Sequence, residues 1–238
     1  MYEADFVEDS MERKRKELQW WDVIIVSLIL FSGPIWSSTV TFFTVSSDIL
    51  AQRTEFTSAD NWFAMLSTSL ELLIAYFYLR WRQFDFKQWY YKLTLRGTAA
   101  AVGIFVIISL AMDMVTILSI GWKETTAYIG GGAFFYVLEE IDLSLILFSL
   151  LNGFYEEIFF LGVCMVVPER QKVGVLCYSL LIRFSFHTYQ GLPAALGIGF
   201  VLGGIYYFLY QKSDKNLYPY MLSHSFADII GTGILPLL

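Results

Sequence analysis

The chain has 238 residues, of which 56% are hydrophobic, 18% aromatic and only 16% charged, whereas a water-soluble domain carries about 25% charged residues. Mean hydropathy is +0.55, and the apolar residues are gathered in long continuous runs rather than in alternation. This argues against a β-barrel and predicts an all-α, polytopic transmembrane helix bundle of about seven spans. The formal charge of −6 says little about partners, because acids crowd the first seventeen residues (Glu3, Asp5, Glu8, Asp9, Glu12, Glu17) and orientation follows Lys and Arg instead. No basic patch is interleaved with aromatics, so nucleic acid is not an expected partner.

Residues 1–21 read as a charged cytoplasmic tail, with Arg13, Lys14, Arg15 and Lys16 close to the membrane. The first span is predicted at 23–45 and acts as a signal anchor, with a kink at Gly33-Pro34. A polar loop, 46–61, leads to a second span at 62–79. The basic, aromatic stretch 80–96 is expected at headgroup depth. A third span, 97–122, precedes a loop at 123–132 with a Gly-Gly-Gly break. A long fourth helix is predicted from 134 to 167, with Glu139, Glu140 and Asp142 in its first turns and 143–167 in lipid. Three more follow at 173–190, 193–210 and 217–238. This divides the chain into the tail, N-terminal transmembrane helices at 22–133 and a helical core at 134–238.

With seven spans, Arg13, Lys14, Arg15, Lys16, Arg80, Arg82, Lys87, Lys92, Arg96, Arg170, Lys172, Lys212 and Lys215 fall on one side, and Arg53 and Lys123 on the other. That asymmetry predicts a cytoplasmic N-terminus. Arg183 is left inside a span. The two cysteines, Cys164 and Cys177, sit in apolar runs and read as small packing residues.

Ionisable groups inside a span are costly, so each is a candidate for function. Glu156 and Glu157 are adjacent near mid-span. Arg183 and His187 lie four apart on the next helix, and His224 and Asp228 four apart on the last. Residues i and i+4 share a helix face, so each of the latter pairs points one way. Only two histidines are present, both within spans and each one turn from a charge. Glu71 and Asp113 stand alone in their spans and suit helix pairing. A carboxylate can take a proton from water, and a His can assist it or stabilise an oxyanion. No phosphate-binding or dinucleotide loop is present. Ser223 and Ser225 flank His224, but sequence neighbours on a helix do not face each other. Two His and a Glu could also hold zinc, although only across helices, since the HExxH spacing is absent.

The order Glu156-Glu157, then His187 followed by Thr-Tyr-Gln190-Gly191, then His224-x-x-x-Asp228 resembles the CAAX-protease and bacteriocin-processing (Abi) family of intramembrane endopeptidases. The resemblance covers about 143–230. Two positions depart from the family pattern: Leu161 stands where Glu-Glu-x-x-x-Arg has its Arg, and Arg183 stands where Phe-x-x-x-His has its Phe. The resemblance implies a membrane-embedded hydrolase of peptide bonds. In it Glu156 activates water with His187 sharing the task, and His224 and Asp228 bind the oxyanion. Glu157 is a structural partner of the site. It implies a peptide or membrane-associated protein as substrate, with peptide maturation or bacteriocin processing in a bacterial plasma membrane as the setting. A metal-free mechanism with no cofactor is expected, with zinc as the alternative. The rival readings are a catalytically silent immunity or scaffold protein, which the missing motif Arg favours, and a transporter, which the lack of internal repeats disfavours. A further expectation is that Arg183 replaces the missing Arg by pairing with Glu157.

Overall fold

A computed structural model describes residues 17–45, 57–126, 139 and 141–235. Most of the charged tail, the loop with Arg53, Glu140 and the Gly-Gly-Gly break lie outside these. Within them the chain is an all-α membrane bundle of seven principal helices. They are α1 (Trp20–Thr44), α2 (Ser58–Trp81), α3 (Leu95–Ile120), α4 (Leu143–Glu157, prolonged by a π-helical turn Ile158–Val163), α5 (Lys172–Phe186), α6 (Leu192–Lys212) and α7 (Tyr218–Ile230). No strand forms among the described residues; one isolated bridge joins Tyr90 and Asn216.

Five of these helices, α1 to α4 and α6, are long and apolar enough to cross a membrane. The other two are shorter than the sequence pattern suggests. α5 has 15 residues and α7 has 13. At about 1.5 Å per residue each falls well short of a hydrocarbon core about 30 Å thick. α7 stops at Ile230 because Gly231 takes a φ of 108°, a conformation only glycine adopts cheaply. α5 gives way at His187 to a 3-10 turn, Thr188–Gln190.

The fourth helix starts later than 134. Asp142 has extended backbone and its carboxylate accepts the Leu145 N–H at 2.7 Å, so it is the cap that begins the helix at Leu143 rather than part of a first turn. The same carboxylate accepts the Ser58 hydroxyl at the start of α2, and Asn61 Nδ2 donates to Ser144 Oγ at 3.1 Å. The N-terminal ends of α2 and α4 are thus tied together. The Ser58 hydrogen bond, then those from Leu145 N–H and Ser144, hold the Asp142 carboxyl at about 2, below its ordinary 3.8. A depressed carboxyl stabilises the fold above its unfolded value and loses that contribution as pH falls through the folded value. The thermal stability gap between wild type and Asp142→Asn in detergent is therefore expected to be full at neutral pH and to close between about 4 and about 2.

Gly33-Pro34 does not end α1, which runs through it as one helix. Proline has no N–H to give the carbonyl four residues back, and that carbonyl, Leu30 O, accepts the Tyr155 hydroxyl of α4 instead. Tyr155 Oη also lies 3.2 Å from Glu71 Oε2, so Glu71 joins α2 to α4. Asp113 of α3 accepts the backbone N–H groups of Ile234 and Leu235 at 3.0 and 3.2 Å, pinning the chain after α7. Both isolated acids are therefore engaged in tertiary pairing. A further ion pair joins the N-terminal end of α1 to the C-terminal end of α2: buried Asp22 accepts Arg82 Nε at 2.6 Å, Arg82 Nη2 at 3.0 Å and Tyr78 Oη at 2.6 Å.

Two apolar clusters fill the bundle. One centres on Phe31 of α1, which stacks on Phe186 and meets Phe159 and Phe160 edge-on or tilted. The other packs α7 against α3, α4 and α6 through Leu161, Ile198, Tyr206 and Tyr220. α7 approaches α4 closely at Gly153, where a Cβ would come within 2.4 Å of Met221 O and 2.6 Å of Ser225 Oγ. Its start is clamped from the stretch 80–96: Asn216 exchanges two hydrogen bonds with the Lys92 backbone, at 2.9 and 2.8 Å. Within that stretch Phe84 is buried in the cluster around Phe31. Cys164 is buried, and Cys177 lies on the exposed apolar flank of α5; neither forms a disulfide.

Candidate active site

Three helices bring the polar residues together. Glu156 and Glu157 close the α-helical part of α4, immediately before its π-helical turn, a distortion frequent at functional sites. Both are buried, at 3% and 0% exposure. Adjacent residues on a helix point about 100° apart, and the two carboxylates accordingly meet different partners.

Glu157 faces α5 and one edge of His224. Its Oε1 accepts Arg183 Nη2 at 2.8 Å and His224 Nδ1 at 2.7 Å. Arg183 is itself buried, and its guanidinium lies 4.0 Å above the Phe160 ring and 5.7 Å from that of Tyr206. A desolvated cation over an aromatic face gains about 2 kcal/mol, and the pairing with Glu157 neutralises both buried charges. Leu161, at the motif position where Arg is missing, is packed in the apolar cluster around α7.

Glu156 faces α7. Its Oε1 lies 3.7 Å from His224 Nε2, which is also 3.6 Å from Asp228 Oδ1. His224 thus uses Nδ1 on Glu157 and turns Nε2 towards Glu156 and Asp228. Asp228, with its side chain 24% exposed, forms the more open edge of the cluster. Asn152, one turn before Glu156, donates from Nδ2 to Glu156 Oε1 at 3.2 Å and to Asp228 Oδ2 at 3.0 Å. Glu156 Oε2 is buried with no hydrogen-bond partner among the described residues, as is Glu157 Oε2.

His187 lies just past the end of α5. Its Nδ1 donates to the Arg183 carbonyl at 2.7 Å, which leaves Nε2 as an acceptor. His187 is buried, and its ring centroid is 4.4 Å from that of Phe186. It makes no ion-pair contact with Glu156, so a water or substrate atom between them is needed for the two to act together. The 3-10 turn that carries it is held from α1, where Ser38 Oγ accepts the Tyr189 N–H at 2.9 Å and pairs with Thr188 Oγ1 at 2.9 Å.

All six residues singled out in the sequence are therefore in this region, with Glu156, Glu157, Arg183, His224 and Asp228 linked and His187 apart. Asn152, Tyr206 and Ser38 were not singled out. Asn152 had a signal, being a polar residue one turn from Glu156. Tyr206 and Ser38 had none, because their roles depend on neighbouring helices.

Residues 138–230 match the Rce1-like family model, described as type II CAAX prenyl endopeptidase. The resemblance to CAAX proteases therefore holds over the segment that contains Glu156, Glu157, Arg183, His187, His224 and Asp228. No curated protein and no solved structure matches the chain.

Ligand atoms of Glu156, Glu157 and His224 in this Rce1-like segment lie within 4.8 Å of one another, a spacing a metal ion could use. The donor set fits a dication poorly. Glu157 Oε1 is already shared between Arg183 and His224 Nδ1, and His224 Nδ1 is thereby occupied. A guanidinium 2.8 Å from the same carboxylate opposes further positive charge.

Proposed function

We propose that this integral membrane protein is an intramembrane endopeptidase of the CAAX type, hydrolysing a peptide bond in a peptide or membrane-associated protein without a metal or other cofactor. The observation that carries this reading is Glu156: a buried carboxylate that, unlike Glu157, is not tied to Arg183, with one oxygen near His224 and the other unpartnered, in the segment that matches the endopeptidase family. In this reading Glu156 takes a proton from water as the water attacks the scissile carbonyl, and passes it to the leaving amine. His224 donates from Nε2 to the oxyanion, its charge balanced by Glu157 and Asp228. His187, with Nε2 as acceptor, shares in orienting the water. Glu157 and Arg183 keep His224 in place. The lysine and arginine asymmetry supports a cytoplasmic N-terminus, and a bacterial plasma membrane is the setting we propose.

The test is incubation of the purified protein, in detergent or nanodiscs, with prenylated and unprenylated peptides ending in a CAAX sequence, with products identified by mass. Cleavage at one bond, by protein containing no stoichiometric zinc on elemental analysis, is expected. Zinc at about one per chain, lost together with activity in His224→Ala, would reverse the metal-free mechanism. Absence of cleavage, with retention of a bound partner protein, would favour the scaffold reading that Leu161 at the motif position suggests.

A further inference from the structure

We infer that Asn152 is the positioning residue that makes Glu156 a usable base, an inference that rests on the reading of Glu156 above. Its side-chain amide carries two N–H bonds. One is aimed at Glu156 Oε1, 3.2 Å away on the same helix, and the other at Asp228 Oδ2, 3.0 Å away on α7. The opposite amide orientation would set a carbonyl oxygen between two carboxylates, with no hydrogen to share, so chemistry selects the orientation in which nitrogen donates. Asn152 is then a neutral double donor between two acids that would otherwise repel. It also decides which oxygen of Glu156 is free. Oε1 is engaged by Asn152 and faces His224 Nε2, while Oε2 is buried without a partner. Holding one oxygen fixes the carboxylate plane and presents the other to the water.

Both ends of this arrangement are rigid. Asn152 and Glu156 are one turn apart on α4, and α7 is seated against α4 at Gly153, the next residue along. A residue that acts by aiming a base changes the rate of the chemical step and leaves substrate binding alone. Misplacing a reacting group by about 1 Å can cost about 100-fold.

The experiment uses the full chain and an internally quenched prenylated CAAX peptide. Asn152→Leu, of similar size with no donor, is expected to lower kcat about 100-fold with KM unchanged. Asn152→Gln keeps the amide and is expected to recover part of the loss. Asn152→Asp keeps the size, replaces a donor by an acceptor, and is expected to be as slow as the leucine variant; it decides the matter if leucine prevents folding. Wild-type kcat in the leucine or aspartate variant, or a loss of activity matched by the loss of folded protein with no rescue by Gln, would overturn the inference. Glu156→Gln is assayed beside them. If it is inactive while Asn152→Leu is normal, only the role of Asn152 falls. If Glu156→Gln cleaves normally, or wild type cleaves nothing, the reading of the base falls and this inference with it.

Discussion

Glu156→Gln is expected to abolish peptide cleavage, with kcat lower by at least about 100-fold, while the protein inserts and purifies like wild type. General-base catalysis contributes about 10²- to 10⁴-fold, and the amide cannot accept the proton. The fold should tolerate the change, because Glu156 makes no strong ion pair of its own: its ion-pair partner among the described residues is His224 Nε2 at 3.7 Å, and Asn152 can still donate to the Gln oxygen. Turnover of the quenched peptide, normalised to folded protein, measures it. His187→Ala is expected to behave in the same way, since the only hydrogen bond its side chain makes among the described residues is with the Arg183 carbonyl one turn before it. Near wild-type rates in both variants would remove Glu156 and His187 from the mechanism.

Arg183→Leu is expected to have the largest effect on stability. It strips Glu157 of the guanidinium 2.8 Å away and leaves a fully buried carboxylate with His224 as its remaining partner. Removing one member of a buried pair typically costs about 3–5 kcal/mol, because the survivor stays buried and uncompensated. Adding Glu157→Gln removes that stranded charge and should recover part of the loss. The two substitutions should therefore couple by about 0.5–3 kcal/mol in a double-mutant cycle on thermal unfolding in detergent. Additive effects would mean that the pair is not a unit. The double variant is expected to regain stability more than activity, since His224 would keep its place only through a neutral amide in this position.

Much of the site could be read along the chain because helical spacing carries it. Pairs such as Arg183 with His187 and His224 with Asp228 share a face by the i, i+4 rule, and charges are too costly in lipid to lie there without purpose. The all-α membrane class follows from the same cost, applied to backbone groups in long apolar runs. The missing motif Arg was legible as an absence at Leu161, and Arg183 as the remaining intramembrane base.

Other features depended on which helices become neighbours. Periodicity gives the direction of a side chain about its own axis, and says nothing of what the next helix presents there. The partition of His224, Nδ1 to Glu157 and Nε2 towards Glu156 and Asp228, required α7 to seat against α4 at Gly153. The bridge from Asn152 to Asp228 required the same contact. Hydropathy overextended α7, because apolar residues continue past its true end, and the predicted start of the fourth helix ran past Asp142. Those ends were set by Gly231 in a left-handed conformation and by Asp142 capping Leu145, local backbone geometries that an apolar run does not report. Hydropathy likewise places Pro34 within α1, but the tertiary fold supplies the Tyr155 hydroxyl that satisfies the carbonyl proline leaves free. Composition and period determined that helices form and which residues share a face; packing decided which carboxylate oxygens were tied to a partner and which were left without one.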